Sequence, residues 1–181
     1  MKGFQREDLS FSLCGLNCAL CPMKLDGHCP GCGGGTGNQS CKIARCSLEH
    51  GGAAYCFQCG EYPCGMCGGI DRFDSFITHQ RQLADMEKAR EMGPERYGAE
   101  LEEKERILRF LLENFNDGRR KTLFCVGVNL LELEALWEIS AQLANLEVDS
   151  LPLKEKGAYA ARLFQEAAGR QGLDLKLRRK K

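Results

Sequence analysis

The amino-acid sequence predicts a small cysteine-rich module with little regular structure, followed by a mainly α-helical region. Eleven of the twelve cysteines lie between Cys14 and Cys67, and fourteen of the 21 glycines fall at or before Gly69. After Gly69, apolar residues recur at the three- and four-residue spacing of amphipathic helices. We therefore divide the chain into a cysteine-rich module, residues 1–69, and a helical region with a basic tail, residues 70–181.

The composition is that of a globular protein, with 43% hydrophobic and 28% charged residues. Because 25 basic residues balance 25 acidic ones, the net charge gives no argument for nucleic acid or for a membrane surface. The N-terminus lacks the basic start and apolar run of a signal peptide, and no stretch approaches the roughly 18 apolar residues of a membrane span. We expect a cytoplasmic protein, whose cysteines bind metal rather than form disulfides.

Three segments have the form Cys-x-x-Cys-Gly, which is the shape of a zinc knuckle, and they begin at Cys29, Cys56 and Cys64. Two intervening residues let both sulfurs reach one ion in a tight turn, and the glycine supplies the positive φ that closes the turn. A fourth pair, Cys18 and Cys21, has the same separation without the glycine. Since the module has few long apolar side chains, metal binding must supply part of its folding free energy.

The four pairs supply thiolates for two Cys₄ zinc sites, and the remaining cysteines leave a third site open. That site would use Cys14, Cys41 and Cys46 together with His28 or His50. The predicted metal ligands are therefore Cys14, Cys18, Cys21, Cys29, Cys32, Cys41, Cys46, Cys56, Cys59, Cys64 and Cys67.

Tetrahedral sulfur coordination suits zinc or an iron–sulfur cluster. Zinc is the main prediction, because the spacing of a bacterial ferredoxin is absent. Cys14, Cys18 and Cys21 have the spacing of the radical S-adenosylmethionine cluster motif, but no repeated strand–helix barrel accompanies it. Closed cysteine sites predict structural metal and no intrinsic hydrolase activity. No catalytic or further cofactor-binding residue is predicted.

Four helices are predicted after the module. The first begins at Asp71 or Asp74, carries Phe73 and Phe76 on its apolar face and stops at Gly93. The others cover residues 95–115, 130–146 and 153–170. Residues 122–128 are apolar and β-branched, so they could form a strand or the start of a helix, and residues 173–177 alternate like a short strand.

Several single residues are predicted to have structural roles without specific chemistry. His79 is expected on a solvated helix face, Trp137 in the helical core, and Cys125 as a buried residue without a catalytic partner. From Lys154 onward, nine basic residues face three acidic ones. This basic C-terminus makes nucleic acid an alternative partner, although a solvated tail that complements the acidic middle of the chain is an equal interpretation.

The cysteine string resembles that of an uncharacterised prokaryotic cysteine-rich family. The resemblance lies in Cys14-Gly-Leu-x-Cys18-x-x-Cys21-Pro, Cys29-Pro-Gly-Cys32, Cys41-x-Ile-x-x-Cys46 and Cys56-x-x-Cys59-x-x-x-Pro-Cys64. The family is domain of unknown function 3795, and the resemblance implies zinc binding and no known activity. Many of its members carry another cysteine pair after the second helix, where this chain has only Cys125.

The function that these observations predict is a zinc-binding interaction or regulatory module without enzymatic activity. It would act through an unknown protein partner. An iron–sulfur redox protein and a zinc-dependent nucleic-acid binder are the alternatives.

Overall fold

The structure is a computed structural model that describes residues 3–35, 40–145 and 151–180. Within these residues it contains helices and no strand, which confirms the mainly helical region. The α-helices are α1 (Pro22–Leu25), α2 (Lys42–Glu49), α3 (Gln82–Met92), α4 (Pro94–Asn114), α5 (Lys121–Leu130), α6 (Leu133–Ala144) and α7 (Leu153–Arg170). Single turns of 3₁₀ helix cover Cys18–Leu20, Cys56–Gln58 and Gly65–Cys67.

Helix α4 is the centre of the helical bundle. It packs against α3, α5 and α6, while α7 covers α5 and α6. Its apolar stripe of Leu101, Leu108 and Leu111 is buried, as its periodicity predicts. Pro94 occupies the first helical position after Gly93, where a missing N–H costs nothing and the fixed φ favours the helix. Helix α4 confirms the predicted second helix, and α7 confirms the predicted fourth.

Helix α5 resolves the ambiguity of residues 122–128, because the segment is helical and not a strand. Residues 124–130 are buried without interruption, so the helix lies inside the core and shows no polar face that would reveal its period. The predicted third helix begins later than expected, at Leu133. Its predicted end at residue 146 lies outside the described residues.

The predicted start of the first helix is wrong. Helix α3 begins at Gln82, and the residues from 71 to 81 are irregular. Phe73 and Phe76 are 48% and 63% exposed, so they form no apolar helix face. Residues 173–177 are also irregular and do not form the predicted strand.

The cysteine-rich module shares its core with the helices. Phe11, Leu20 and Tyr55 belong to one buried cluster with α4 and α5 residues such as Leu108 and Phe124. The boundary near Gly69 therefore marks a change in composition between segments that pack on one another.

Asn17 is the main polar anchor between these segments. Its side-chain N–H groups donate to Asp85 Oδ2 at 2.9 Å and to Asn129 Oδ1 at 3.1 Å. The Tyr97 hydroxyl donates to Asn17 Oδ1 at 2.8 Å. Asn17, Asp85 and Asn129 are each buried, where an unpaired polar group costs about 1–3 kcal/mol. The bonds therefore fix the position of the segment that carries Cys14 and Cys18.

The C-terminal tail forms a strap across the irregular segment before α3. Arg178 donates its backbone N–H to Asp74 Oδ2 at 2.6 Å and a guanidinium N–H to Asp74 Oδ1 at 3.1 Å. The Asp74 carboxylate has no exposed side-chain surface. Its burial raises the pKa, but hydrogen bonds from Arg178 and His79 outweigh this effect and lower the pKa below its usual value. Arg179 donates to the carbonyl of Ser75 at 3.0 Å.

Two glycine substitutions test the packing of the bundle. A Cβ at Gly127 on α5 would lie 2.4 Å from the Phe164 ring of α7, whereas a Cβ at Gly98 on α4 would meet nothing within 4 Å. We expect Gly127→Ala to destabilise the protein by about 1–3 kcal/mol. Gly98→Ala should stabilise it by about 0.5–1 kcal/mol, because the unfolded chain loses freedom. Urea unfolding measures both, and equal effects of the two substitutions would contradict this packing.

Candidate metal centre

Five cysteines line one pocket at the base of the module, and we call them the first thiol group. The pocket has a volume of about 190 Å³. Phe4, Ser12 and Ala44 form part of its wall beside the thiols. The first thiol group consists of Cys14, Cys18, Cys29, Cys32 and Cys41.

A second thiol group lines a separate, smaller pocket of about 30 Å³. His50 contributes to the same lining. Its Nδ1 lies 2.8 Å from the Cys46 carbonyl oxygen and its Nε2 lies 3.5 Å from Glu61 Oε2, so an acceptor oxygen faces each ring nitrogen. The second thiol group consists of Cys46, Cys56, Cys59 and Cys64. Cys67 lies close to Cys46 and Cys64: burial raises the pKa of Cys67, and the charges of these two neighbours raise it further.

The three cysteines assigned to an open third site do not lie in one pocket. Cys14 and Cys41 belong to the first thiol group, whereas Cys46 and His50 line the second pocket. Cys21 lies near Cys29, whose charge adds to the rise in the pKa of Cys21 caused by burial. The pairs Cys18/Cys21 and Cys29/Cys32 therefore lie at the first pocket and the pairs Cys56/Cys59 and Cys64/Cys67 at the second, while Cys14 and Cys41 join the first set and Cys46 the second.

Backbone N–H groups point at several of these sulfurs. The N–H of Gly31 donates to Cys29 Sγ at 3.5 Å, Cys32 donates to Cys18, and Leu16 donates to Cys14. Such bonds stabilise the thiolate more than the thiol. Of these three bonds, only the one from Gly31 to Cys29 lies within a Cys-x-x-Cys-Gly segment.

Burial works in the opposite direction. It raises the pKa of Cys14 to about 11 and that of Cys18 to about 12. In the second thiol group, burial followed by the charge of Cys14 raises the pKa of Cys56 to about 12. Several thiolates in one pocket are therefore unfavourable at neutral pH unless a cation compensates their charge.

The chemistry of the cysteine side chains favours metal binding more strongly than the distances between them do. Across residues 3–35, 40–145 and 151–180, no group of three or more His, Cys, Asp or Glu side chains is placed closely enough to hold a metal ion. The soft donors fit zinc or an iron–sulfur cluster, but their sulfurs do not converge on one point.

Two parts of the module have almost no packed interior. Residues 40–52 bury only Ala44 and Ser47, and residues 59–69 bury no residue. The latter segment contacts α3 through the Tyr62 hydroxyl, which donates to Glu87 Oε1 at 2.5 Å. Ordering a residue costs about 1–2 kcal/mol of backbone entropy. Hydrophobic burial therefore offsets little of this cost in either segment.

The other residues singled out from the sequence have mixed outcomes. Cys125 is buried, at 4% exposure, as predicted. Trp137 is 47% exposed and donates to Glu103 Oε1 at 2.9 Å, so its predicted place in the core is wrong. His79 is not on a helix but in an irregular segment, where its ring contacts the Ile70 carbonyl and the Ser75 hydroxyl.

Ser75 is a residue that the sequence reasoning missed. Its Oγ lies 2.9 Å from His79 Nε2. The four-residue separation of Ser75 and His79 is the only sequence signal for this contact.

No protein-family model, curated protein or solved structure matches this chain. The resemblance to the cysteine-rich family stays a prediction. The function is therefore inferred from the placement of the side chains themselves.

Gly31 offers a test of the first knuckle turn. Gly31 and Gly27 both have positive φ, at 97° and 73°. A Cβ at Gly31 would lie 2.6 Å from the Leu9 carbonyl oxygen, while one at Gly27 would meet nothing within 4 Å. Each alanine substitution should cost about 1–2 kcal/mol for its backbone conformation, and Gly31→Ala should cost more. Denaturant unfolding compares them, and equal losses would show that the close approach to Leu9 is unimportant.

Proposed function

We propose that the chain binds zinc through its two thiol groups, and that the metal holds an interaction surface built from residues 40–52 and 59–69. Cys14, Cys18, Cys32 and Cys41 would hold one ion, with Cys29 in reach of the same pocket. Cys46, Cys59, Cys64 and Cys67 would hold the second, with Cys56 and His50 as further donors. Zinc supplies positive charge that stabilises neighbouring thiolates and links distant segments of the chain.

The segment 59–69 is the observation that supports this proposal best. It carries Cys59, Cys64 and Cys67, yet it buries no residue. Its internal backbone bonds are short-range turns, from Tyr62 to Cys59 and from Cys67 to Cys64. Since neither hydrophobic burial nor a long hydrogen-bond ladder orders this segment, metal–thiolate bonds are the interaction that its composition supplies.

An iron–sulfur cluster is the second candidate. The pocket of the first thiol group measures about 190 Å³, which is more room than one ion needs. Cysteine ligands are common to both metals.

Nucleic-acid binding through the C-terminus has less support. Arg178 and Arg179 donate to Asp74 and to the Ser75 carbonyl within the strap, which leaves Lys176 and Lys180 as the described basic residues of the tail, while Lys181 lies outside the described residues. An interaction with another protein through the metal-held surface is therefore the preferred role. Among the described residues, no helix has the length and apolar character needed to cross a bilayer, and cytoplasmic localisation stays a prediction.

Metal analysis of cysteine variants tests the two-group assignment. The native protein should contain about two zinc ions per chain. Cys18→Ala and Cys64→Ala should each remove about one ion, because each breaks one group and leaves the other intact. Cys125→Ala is the matched control, since this buried cysteine lies outside both groups, and it should keep the native zinc content.

The alternatives give different readings in the same experiment. If the protein contains iron and acid-labile sulfide in place of zinc and absorbs visible light, the iron–sulfur candidate is favoured over zinc. A native protein with less than one metal ion per chain would contradict metal binding. Loss of all metal from either single variant would contradict two separate groups.

A further inference from the structure

A serine and a histidine form a hydrogen-bonded pair in the segment before α3, apart from both thiol groups. Ser75 Oγ lies 2.9 Å from His79 Nε2. On the other side of the ring, His79 Nδ1 lies 3.0 Å from the Ile70 carbonyl oxygen. A nucleophile, a base and a group that orients the base are thus arranged in sequence.

The Ile70 carbonyl determines the tautomer of His79. A carbonyl oxygen can only accept a hydrogen bond, so the neutral ring carries its proton on Nδ1. Nε2 then has a free lone pair and accepts the hydrogen bond from the Ser75 hydroxyl. This is the protonation state that a general base requires.

The strap fixes the backbone around the pair. The His79 N–H donates to Asp74 Oδ1 at 2.7 Å, and Asp74 is held by Arg178 from the C-terminus. Arg179 donates to the carbonyl of Ser75 itself. A short segment without regular structure is therefore positioned by four charge-assisted bonds, which limits the motion of both catalytic candidates.

Ser75 is accessible, and two aromatic residues close to it in the sequence are exposed. Ser75 is exposed, and Phe73 and Phe76 are 48% and 63% exposed. The backbone N–H of Phe76 makes no hydrogen bond to the described part of the chain. An N–H directly after a nucleophile is a donor suited to an oxyanion.

We propose that Ser75 and His79 form an acyl-transfer site for carboxylic esters with apolar acyl groups. Ser75 Oγ bonds to the ester carbonyl carbon while its proton passes to His79 Nε2. The carbon–oxygen bond to the alcohol then breaks, and His79 gives that proton to the leaving oxygen. Water, deprotonated by His79, adds to the acyl carbon, releases the carboxylic acid and restores the Ser75 hydroxyl.

This site is independent of the metal. The prediction of no intrinsic hydrolase activity covers the whole chain, and this proposal departs from it because Ser75 and His79 lie outside both thiol groups. The proposed metal binding and the proposed acyl transfer can therefore be confirmed or contradicted independently.

Covalent labelling with an alkyl fluorophosphonate tests the proposal. Attack by Ser75 Oγ forms an oxygen–phosphorus bond, and fluoride leaves as the hydroxyl proton passes to His79. This reagent selects activated serines, so the many thiols give little background, and peptide mass mapping locates the label. We expect labelling at Ser75 at a rate at least ~100-fold above that of Ser40, an exposed serine that serves as the internal control.

Variants separate the proposed chemistry from mere exposure. Ser75→Ala should abolish the label at this peptide, and His79→Gln should slow it by about 100-fold while zinc content and melting temperature stay native. The transfer of the acyl group from p-nitrophenyl butyrate to the Ser75 peptide should fall in parallel with the labelling. Labelling of Ser75 no faster than of Ser40, or unchanged labelling in a folded His79→Gln variant, would overturn the proposal.

Discussion

The fold depends on the insertion of residues 11–20 against helices α3, α4 and α5. Asn17 makes this insertion specific, because it is buried and bonds Asp85, Tyr97 and Asn129 from three helices. Leu20 and Phe11 fill the space around these bonds. Since the bonds fix the backbone on both sides, they also fix Cys14 and Cys18, so the first thiol group is attached to a rigid body.

The second thiol group is attached less extensively. Cys56 lies in the 3₁₀ turn Cys56–Gln58, which packs against α3 beside the buried Tyr55. Its other cysteines lie in segments that bury little and join the helices through few side chains, among them Tyr62. We propose that the module has two levels of order, one provided by the hydrophobic core and the other by metal–thiolate bonds. A surface of the second kind would depend on metal supply, which would suit an interaction that is present only when the metal is bound.

Much of the helical region was predictable because its pattern is periodic. Helices α4 and α7 follow the spacing of their leucines and alanines, and Pro94 marks the start of α4. Helix α5 was ambiguous, since a fully buried helix has no polar face. The segment containing Phe73 and Phe76 was misread because Asp74 pairs with Arg178, 104 residues away, a tertiary contact that no local pattern shows. Of the three knuckle glycines, only Gly33 has the predicted positive φ, whereas Gly68 has a φ of −65°. The distribution of Cys14, Cys41 and Cys46 between the two pockets depends on tertiary packing that the cysteine spacing does not show.

Amide hydrogen exchange with and without a chelator, under reducing conditions, tests the two levels of order most directly. Metal removal should abolish protection in residues 40–52 and 59–69, because little else orders them. Residues 11–20 and helices α3 to α5 should keep most of their protection, since Asn17 and the hydrophobic core hold them. Unchanged exchange in residues 59–69 would contradict the account, and so would an equal loss of protection in residues 11–20.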